Sequence, residues 1–132
     1  MAERSMPERS IPAPPVNPDS APFYEAAREG RFLIRRCTAC RKPHWYPRPV
    51  CPFCFGVTEW EAASGRGTIY SYSVMRRVPA PFSIAYVTLA EGPAMMTSVV
   101  DCDLDGLKIG QAVTLVWKPT EGGPPMPCFT PA

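Results

Sequence analysis

Two Cys-x-x-Cys pairs are the residues of this sequence best suited to chemistry. Cys37 and Cys40 form the first pair, and Cys51 and Cys54 form the second, with ten residues between the pairs. A Cys-x-x-Cys turn lets two thiolates reach one ion while backbone N–H groups point at the sulfurs, and two such turns complete a tetrahedron with metal–sulfur distances of about 2.3 Å. The spacing therefore predicts a four-cysteine metal site.

The predicted site is closed and structural, because protein sulfurs fill all four positions and leave none for a substrate. The segment around it is too small for a core of its own, and zinc binding supplies on the order of 10 kcal/mol of apparent folding energy. We therefore expect Zn²⁺. A rubredoxin-type iron centre acting in electron transfer is the alternative, since four sulfurs alone do not select zinc over iron. Cys102 and Cys128 lie outside the spacing and are expected to be ordinary thiols.

Aromatic residues close to positive charge suggest a second kind of site. Six residues have this character: Trp45, Tyr46, Arg48, Arg76, Arg77 and Phe82. In one interpretation Trp45 and Tyr46 pack the metal-binding ribbon against the rest of the chain. In the other, the six residues line a groove where an aromatic ring stacks on a base and arginine binds phosphate, two features that coenzyme A presents, or the groove receives a partner protein. Both interpretations stay open.

Two further signals do not predict an active site. His44 is the single histidine, and no nucleophile or carboxylate constellation converges on it by spacing, so we expect a surface or stacking residue rather than a catalyst. The segment from Asp101 to Gly106 begins like an EF-hand loop, but Ala112 stands where that loop needs Glu. We predict a turn there, and no catalytic residue anywhere in the chain.

Length, charge and hydropathy limit the partners. The 132 residues suit one domain, or one domain with an appendage, and the formal net charge is +2. Four thiolates holding one divalent ion would bring that charge near zero, which is a poor match for a phosphate backbone. A single-stranded nucleic-acid-binding module is therefore the alternative function rather than the preferred one. Residues 1–20 contain no apolar run or cleavage site, and no segment approaches a membrane span, so we expect a cytoplasmic protein without a membrane partner.

The elements that must position these residues are mainly β. Residues 1–18 are rich in proline and predict a flexible arm, residues 19–61 a short helix followed by the metal ribbon, and residues 62–132 a small antiparallel barrel. The helix is predicted to begin at Asp19 or Ser20, to run to about Arg28 and to stop at Gly30. Alternating apolar residues predict four or five barrel strands, at 67–77, 84–90, 94–100 and 111–118, with a possible last strand at 126–129.

Read in order, the segments RRCTACRKPHWYPRPVCPFCF, EWEAASGRGTIYSYSV, RVPAPF, IAYVTLAEGPAMMTSVVDCD, LKIGQAV and FTPA resemble a known family. It is the family of small acyl-CoA-associated proteins that join a rubredoxin-like zinc ribbon to an OB fold. The resemblance covers residue 20 to the C-terminus and implies a helix and ribbon packed on a five-stranded OB-fold barrel. It assigns the four cysteines as zinc ligands. The sequence departs from the family pattern at two positions. Arg41 stands where the family usually has glycine after the first cysteine pair, and Cys128 stands where a basic residue is common.

The resemblance also implies a function. Members of this family accompany thiolase-superfamily enzymes, including thiolases and the lipid-transfer-protein-like aldolases of steroid side-chain breakdown, and some accompany enoyl-CoA hydratases. The family subunit is generally held not to make bonds itself but to brace the enzyme and shape its acyl-CoA entrance. We therefore expect a non-catalytic subunit of a hetero-oligomer in lipid or steroid degradation, with coenzyme A or acyl-CoA shared with the partner.

Overall fold

The computed structural model describes residues 10–132, and over that part of the chain it is mainly β. The one helix, α1 (Ala21–Arg28), precedes eight strands and a 3-10 turn at Leu104–Gly106. The strands are β1 (Leu33–Cys37), β2 (Pro43–His44), β3 (Thr58–Ala62), β4 (Arg66–Met75), β5 (Phe82–Leu89), β6 (Ala94–Thr97), β7 (Ala112–Lys118) and β8 (Met126–Pro131). Each strand predicted from the alternating pattern is present, including the last short one.

The predicted flexible arm, residues 1–18, lies partly outside the described residues. Within residues 10–18 the chain contacts the loop before β8. The backbone N–H of Glu121 donates to the Ile11 carbonyl at 2.9 Å, and Pro12 forms a parallel bridge with Glu121. This described stretch therefore follows the surface of the β-domain.

Local hydrogen bonds set both ends of helix α1. Ser20 holds the N-cap position, but its side chain does not cap the helix; its backbone N–H donates to Asn17 Oδ1 at 3.0 Å. At the other end Gly30 adopts a φ of 76° and donates its N–H to the Ala27 carbonyl at 2.9 Å. A left-handed residue after the last turn favours glycine, as the sequence predicted.

The ribbon is a three-stranded antiparallel sheet in the order β2-β1-β3. Strand β1 pairs with β3 from Leu33 opposite Ala62 to Cys37 opposite Thr58. This pairing ends at the first metal-binding cysteine, so the sheet fixes the backbone from which the first metal turn begins. Ile34 in the middle of β1 is fully buried and turns that face of the ribbon toward the core.

The β-domain is a five-stranded antiparallel sheet in the order β6-β5-β4-β7-β8. The sheet curls, because the segment after β6 meets β8: Val99 bridges Phe129, and the Val100 N–H donates to the Phe129 carbonyl at 2.8 Å. The result is the half-barrel of an OB-like fold. A bulge between Ile69 and Ser71 leaves Tyr70 outside the β4–β5 register and adds to the bend.

One core joins the helix, the ribbon and the half-barrel. Its centre is a group of four aromatic residues from three parts of the chain: Phe23, Phe32, Trp45 and Trp117. Phe23 lies with its ring centroid 4.9 Å from Trp45 of the ribbon and 6.0 Å from Trp117 of β7. The buried residues of β4, β5 and β7, including Ile69, Val87 and Val113, belong to the same core.

Candidate metal centre and adjoining surfaces

The four predicted metal ligands lie on two turns of the same shape. In the first turn the Cys37 N–H donates to the Lys42 carbonyl at 3.1 Å. In the second turn the Cys51 N–H donates to the Gly56 carbonyl at 2.8 Å. Each turn also has an N–H, four residues after its first cysteine, that donates back to that cysteine's carbonyl. Two equivalent turns therefore face each other and present their sulfurs to one point.

The departure at Arg41 does not distort the first turn. Arg41 adopts the left-handed conformation, with a φ of 67°, that glycine would adopt freely. Such a conformation costs an L-residue about 1–2 kcal/mol. The Arg36 guanidinium donates to the Arg41 carbonyl at 2.6 Å and is itself paired with Glu61 at 2.9 Å, so strand β1 holds the strained residue in place.

The sulfur geometry fits a tetrahedral metal. The Sγ atoms of Cys37 and Cys54 are 3.5 Å apart, those of Cys40 and Cys51 are 3.7 Å apart, and all four lie within 4.8 Å of one another. A zinc–sulfur distance of about 2.3 Å in a regular tetrahedron gives sulfur separations of about 3.8 Å. All four ligand positions are therefore filled by protein, as a structural zinc site requires.

Backbone N–H groups favour the thiolate form of two of the ligands, Cys37 and Cys51, whereas burial and hydrogen bonds with the neighbouring thiols raise the pKa of Cys40. The Cys40 N–H donates to Cys37 Sγ at 3.4 Å, and this bond is the main cause that lowers the pKa of Cys37 to about 6. Burial raises the pKa of Cys51, but the N–H groups of Cys54 and Phe53 outweigh it, so that the pKa of Cys51 also lies below its ordinary value. Thiolate is the form that binds a metal cation.

The residue after the second turn must be small. A Cβ atom placed on Gly56 would lie 3.0 Å from Cys37 Sγ, 3.2 Å from Ala39 Cβ and 3.3 Å from Cys54 Sγ. Any side chain here would press against two of the four sulfurs. The glycine is needed for space beside the metal site.

The predicted aromatic residues of the ribbon lie beside the core. Trp45 packs at 4.9 Å from Phe23 and is partly buried, and Tyr46 stands edge-on to Trp45 at 5.5 Å. This arrangement favours the packing interpretation for Trp45. The Arg48 side chain is exposed, while its carbonyl accepts a hydrogen bond from Thr58 Oγ1 at 2.6 Å.

The loop residues of the predicted groove lie elsewhere. Arg76 and Phe82 line a cavity of about 1010 Å³ at the loop end of the half-barrel, whereas Trp45 lines a different cleft. Arg77 is exposed in the same loop. The structure therefore does not gather the six residues around one cavity.

This cavity is acidic. Its charged lining residues are Arg76, Asp101, Asp103, Asp105, Lys118 and Glu121. Both cations are already paired, Arg76 with Asp105 at 2.5 Å and Lys118 with Asp101 at 2.8 Å. An excess of carboxylates repels phosphates, so the cavity is a poor site for a nucleic acid or for the nucleotide part of coenzyme A. Asp103 accepts the Asp105 N–H at 3.0 Å in the predicted turn, not in an EF-hand loop.

His44 is not the surface residue that the sequence suggested. It pairs with Arg35 across β1 and β2, and only 3% of it is exposed. Both ring nitrogens are buried, and neither makes a hydrogen bond of normal geometry among the described residues, although a weaker backbone hydrogen bond with Arg48 acts on the ring. Burial lowers the pKa of His44, which keeps the ring neutral. Sequence reasoning missed this burial because it arises from a two-residue strand, too short to show a periodic pattern.

His44 lines a cleft of about 470 Å³ between the ribbon and the half-barrel. Pro52 and Phe53 of the second metal turn form one wall of this cleft, and residues 91–94, the turn between β5 and β6, form the other. The cleft thus combines apolar walls with two residues, His44 and Glu91, whose buried polar atoms make no hydrogen bond of normal geometry among the described residues.

The second metal turn carries an exposed apolar surface, here termed the ribbon knob. Its members are Val50, Phe53, Phe55 and Val57, which are 50%, 57%, 81% and 71% exposed. The turn is closed by a bridge between Val50 and Val57. The sequence shows four large apolar residues in the eight positions from 50 to 57, around the second metal turn. Only the fold shows that their side chains are exposed.

No helix among residues 10–132 is long and apolar enough to cross a membrane.

Comparison with known proteins agrees with this fold. Residues 25–61 match the family described as "ChsH2, rubredoxin-like zinc ribbon domain", and residues 60–118 match "ChsH2, C-terminal OB-fold domain". The chain belongs to this ChsH2 zinc-ribbon and OB-fold family. The predicted family and fold class are thereby confirmed, and the ribbon description together with the sulfur geometry supports structural zinc.

A solved structure titled "Ltp2-ChsH2(DUF35) aldolase" contains a chain 35% identical to this one, with a TM-score of 0.80; the match covers 89% of this chain and 98% of that one. A "Probable enoyl-CoA hydratase alpha subunit" of Thermomonospora curvata is 36% identical over 133 residues, or 96% of this chain and 41% of the relative. A "DUF35 domain-containing scaffold protein" of Methanocaldococcus jannaschii is 35% identical over 91 residues, or 63% of this chain and 64% of the relative. This chain covers less than two thirds of the length of the hydratase subunit and of the scaffold protein.

Proposed function

We propose that this protein is a non-catalytic accessory subunit of an acyl-CoA-processing complex, with a thiolase-superfamily thiolase or aldolase as its enzyme partner. The observation that carries the proposal is the closed site: four sulfurs within 4.8 Å of one another leave the metal no position for a substrate. The metal therefore stiffens the ribbon, and the bond-making residues belong to the partner.

The similarity to the chain in an aldolase complex supports the choice of partner, because it covers 98% of that chain. The scaffold description of the archaeal relative points the same way. The hydratase description is weaker support for an enzyme, since this chain matches only 41% of that relative's length. A hydratase is accordingly the second candidate partner. We propose a cytoplasmic complex that acts on lipid or steroid side chains.

We propose that coenzyme A is contacted by both this chain and its enzyme partner. The two exposed groups of the predicted groove on the ribbon, Tyr46 and Arg48, lie outside the acidic cavity and are available to the edge of a partner's site. Arg48 would pair with phosphate there. The acidic cavity argues against nucleic acid as the physiological partner, and a gel shift at low salt would test that alternative directly.

The proposal is tested by purifying the chain from its native host and identifying what accompanies it by mass spectrometry. We expect a thiolase-superfamily protein in a stable complex. The zinc-loaded chain alone should show no thiolase, aldolase or hydratase turnover, and the partner's turnover or stability should rise when the chain is added. Turnover by the isolated chain would contradict the proposal.

A further inference from the structure

In the ribbon knob, Phe55 has two features that are energetically unfavourable on a surface exposed to water. Phe55 is 81% exposed, and it also adopts the left-handed conformation, with a φ of 64°. An aromatic residue in that conformation is a conformational outlier, and its exposure to water adds an unfavourable solvation term. Arg41, the equivalent residue of the first turn, has the same backbone but a charged side chain suited to water.

The ribbon segment that carries the knob has charge of one sign, and the one carboxylate among the described residues that line the cleft is Glu91, in its far wall. From Arg31 to Thr58, both included, the sequence contains six arginine and lysine residues and no acidic residue. Among the basic residues, Arg41, Lys42 and Arg48 are exposed, and the Lys42 ammonium lies 5.3 Å from the centre of the Phe53 ring. A surface complementary to the knob is therefore an apolar socket whose edge carries carboxylates.

The cleft beside the knob indicates a protein partner rather than a bilayer. Phe53 belongs to both the knob and the cleft, so the two form one continuous surface. The cleft is concave, with a volume of about 470 Å³. A polypeptide segment can enter such a concave cleft, whereas the surface of a bilayer cannot.

We infer that the ribbon knob and the adjoining cleft are the surface on which the enzyme partner docks. The partner places an apolar socket with acidic edges over Phe53 and Phe55, and one of its segments enters the cleft beside Phe53. The inference rests on the proposed function, because it assigns the surface by which the accessory subunit meets its enzyme. The knob sits on a metal-stiffened turn, so little conformational entropy is lost on docking.

The test compares variants of the full chain in binding to the co-purified enzyme. Phe55→Ser and Phe55→Gly should each weaken binding by about tenfold or more, as a central aromatic anchor does. Phe55→Gly also relieves the left-handed strain, so the variant should fold at least as well as wild type and bind zinc equally. The matched control is Tyr86→Ser with Met96→Ser, two exposed apolar residues on the outer face of β5 and β6. This control should bind normally.

The charge contribution is tested with the double variant Arg41→Gln and Lys42→Gln, two exposed basic residues that have no proposed contact with coenzyme A. It should weaken binding at low salt and reduce the dependence of binding on salt. The control is Arg66→Gln with Lys108→Gln, two exposed basic residues of the half-barrel, which should change neither.

Three results would overturn the inference. In the first, wild type and the Phe55 variants bind the enzyme equally while the Tyr86 and Met96 control loses binding, which would place the interface on the sheet. In the second, wild type sediments with vesicles of anionic lipid, Phe55→Gly does not, and enzyme binding is unchanged, which would make the knob a lipid contact. In the third, wild type binds no enzyme at all; the proposed function then fails, and this inference fails with it.

Discussion

Non-glycine residues occupy the left-handed position of both metal turns. Arg41 and Phe55 have φ values of 67° and 64°, at a cost of about 1–2 kcal/mol each. The next residue of the second turn, Gly56, has no room for a Cβ beside the sulfurs. The second turn therefore accepts a side chain at position 55 but not at position 56, because a Cβ at position 56 would point at the ligand sulfurs.

Gly56→Ala should weaken zinc binding. The added methyl group would lie 3.0 Å from Cys37 Sγ and must displace a ligand sulfur. We expect zinc affinity to fall by roughly tenfold or more, as when groups adjoining a metal site are disturbed. Competition with a chromophoric chelator measures the affinity. Gly106→Ala is the control, since its nearest neighbour would be 4.0 Å away. Equal affinity in both variants would contradict the steric argument.

Tyr24 provides a test at alkaline pH. Burial, followed by the neighbouring Tyr46 hydroxyl, raises the pKa of Tyr24 from 10.0 to about 12. The folded state therefore keeps a proton that the unfolded state releases above pH 10, so this contribution to stability is present below pH 10 and is lost as pH rises through 12.

Tyr24→Phe should accordingly lose less stability than wild type between those two pH values. Absorbance titration of tyrosinate should show one late ionisation near pH 12 in wild type that is absent from Tyr24→Phe. Tyr70→Phe, which removes an exposed tyrosine, should retain it. A late ionisation that persists in Tyr24→Phe would show that another tyrosine is responsible.

At the scale of elements, patterns within short stretches of sequence were enough to predict the metal ligands of the ribbon and most of the strands. In β7, Val113 is buried and Leu115 and Trp117 are half-buried, while Ala112 and Thr114 are exposed, which is the period-two pattern visible in the sequence. The cysteine spacing likewise predicted the metal turns, because each turn is formed by consecutive residues.

Other features of the elements depend on partners distant in sequence and could not be predicted. The bulge at Tyr70 exists only in the pairing of β4 with β5. The burial of His44 depends on where two residues pair with β1. The proposed groove combined Trp45 with Arg76, residues thirty-one positions apart, and no sequence pattern shows which cavity each one lines.

Loss of a metal ligand should unfold the ribbon locally. Cys51 is fully buried, and replacing it by serine removes a ligand from a site that supplies on the order of 10 kcal/mol of folding energy. In Cys51→Ser we expect bound zinc to be lost and the amides of β1 and β3 to exchange hydrogen rapidly, while those of β4 and β5 stay protected. Hydrogen exchange with mass spectrometry separates these segments.

Cys102→Ser is the control for this experiment, because Cys102 is not one of the four clustered cysteines. It should retain zinc and normal exchange throughout. Slow exchange in β1 and β3 of zinc-free Cys51→Ser would show that the ribbon folds without its metal.

At the scale of the whole molecule, the helix, ribbon and half-barrel share one core. Phe23 is fully buried and contacts aromatic rings of all three parts. A helix of eight residues is too short to be stable alone, so this contact is what holds it. The sequence indicated that the helix must dock, but the surface that receives it is formed by residues far apart in the chain.

Phe23→Ala should destabilise the protein by about 3–5 kcal/mol, the range for removing a buried phenylalanine. It should also separate the unfolding of the ribbon from that of the half-barrel. Urea denaturation followed by circular dichroism measures both effects. Phe55→Ala, at a position 81% exposed, is the matched control and should cost little. A similar loss in the two variants would argue against a shared core centred on Phe23.

The aromatic group at this core has an optical consequence. Trp45 of the ribbon and Trp117 of β7 contact the same two phenylalanines, at centroid distances of 4.9–6.2 Å. Trp60, the third tryptophan, lies beneath the Arg35 guanidinium and can be replaced by phenylalanine. In that variant the tryptophan fluorescence comes only from this junction, so its emission should shift whenever the ribbon tilts on the half-barrel, and binding of the variant to an enzyme could be followed without an attached dye.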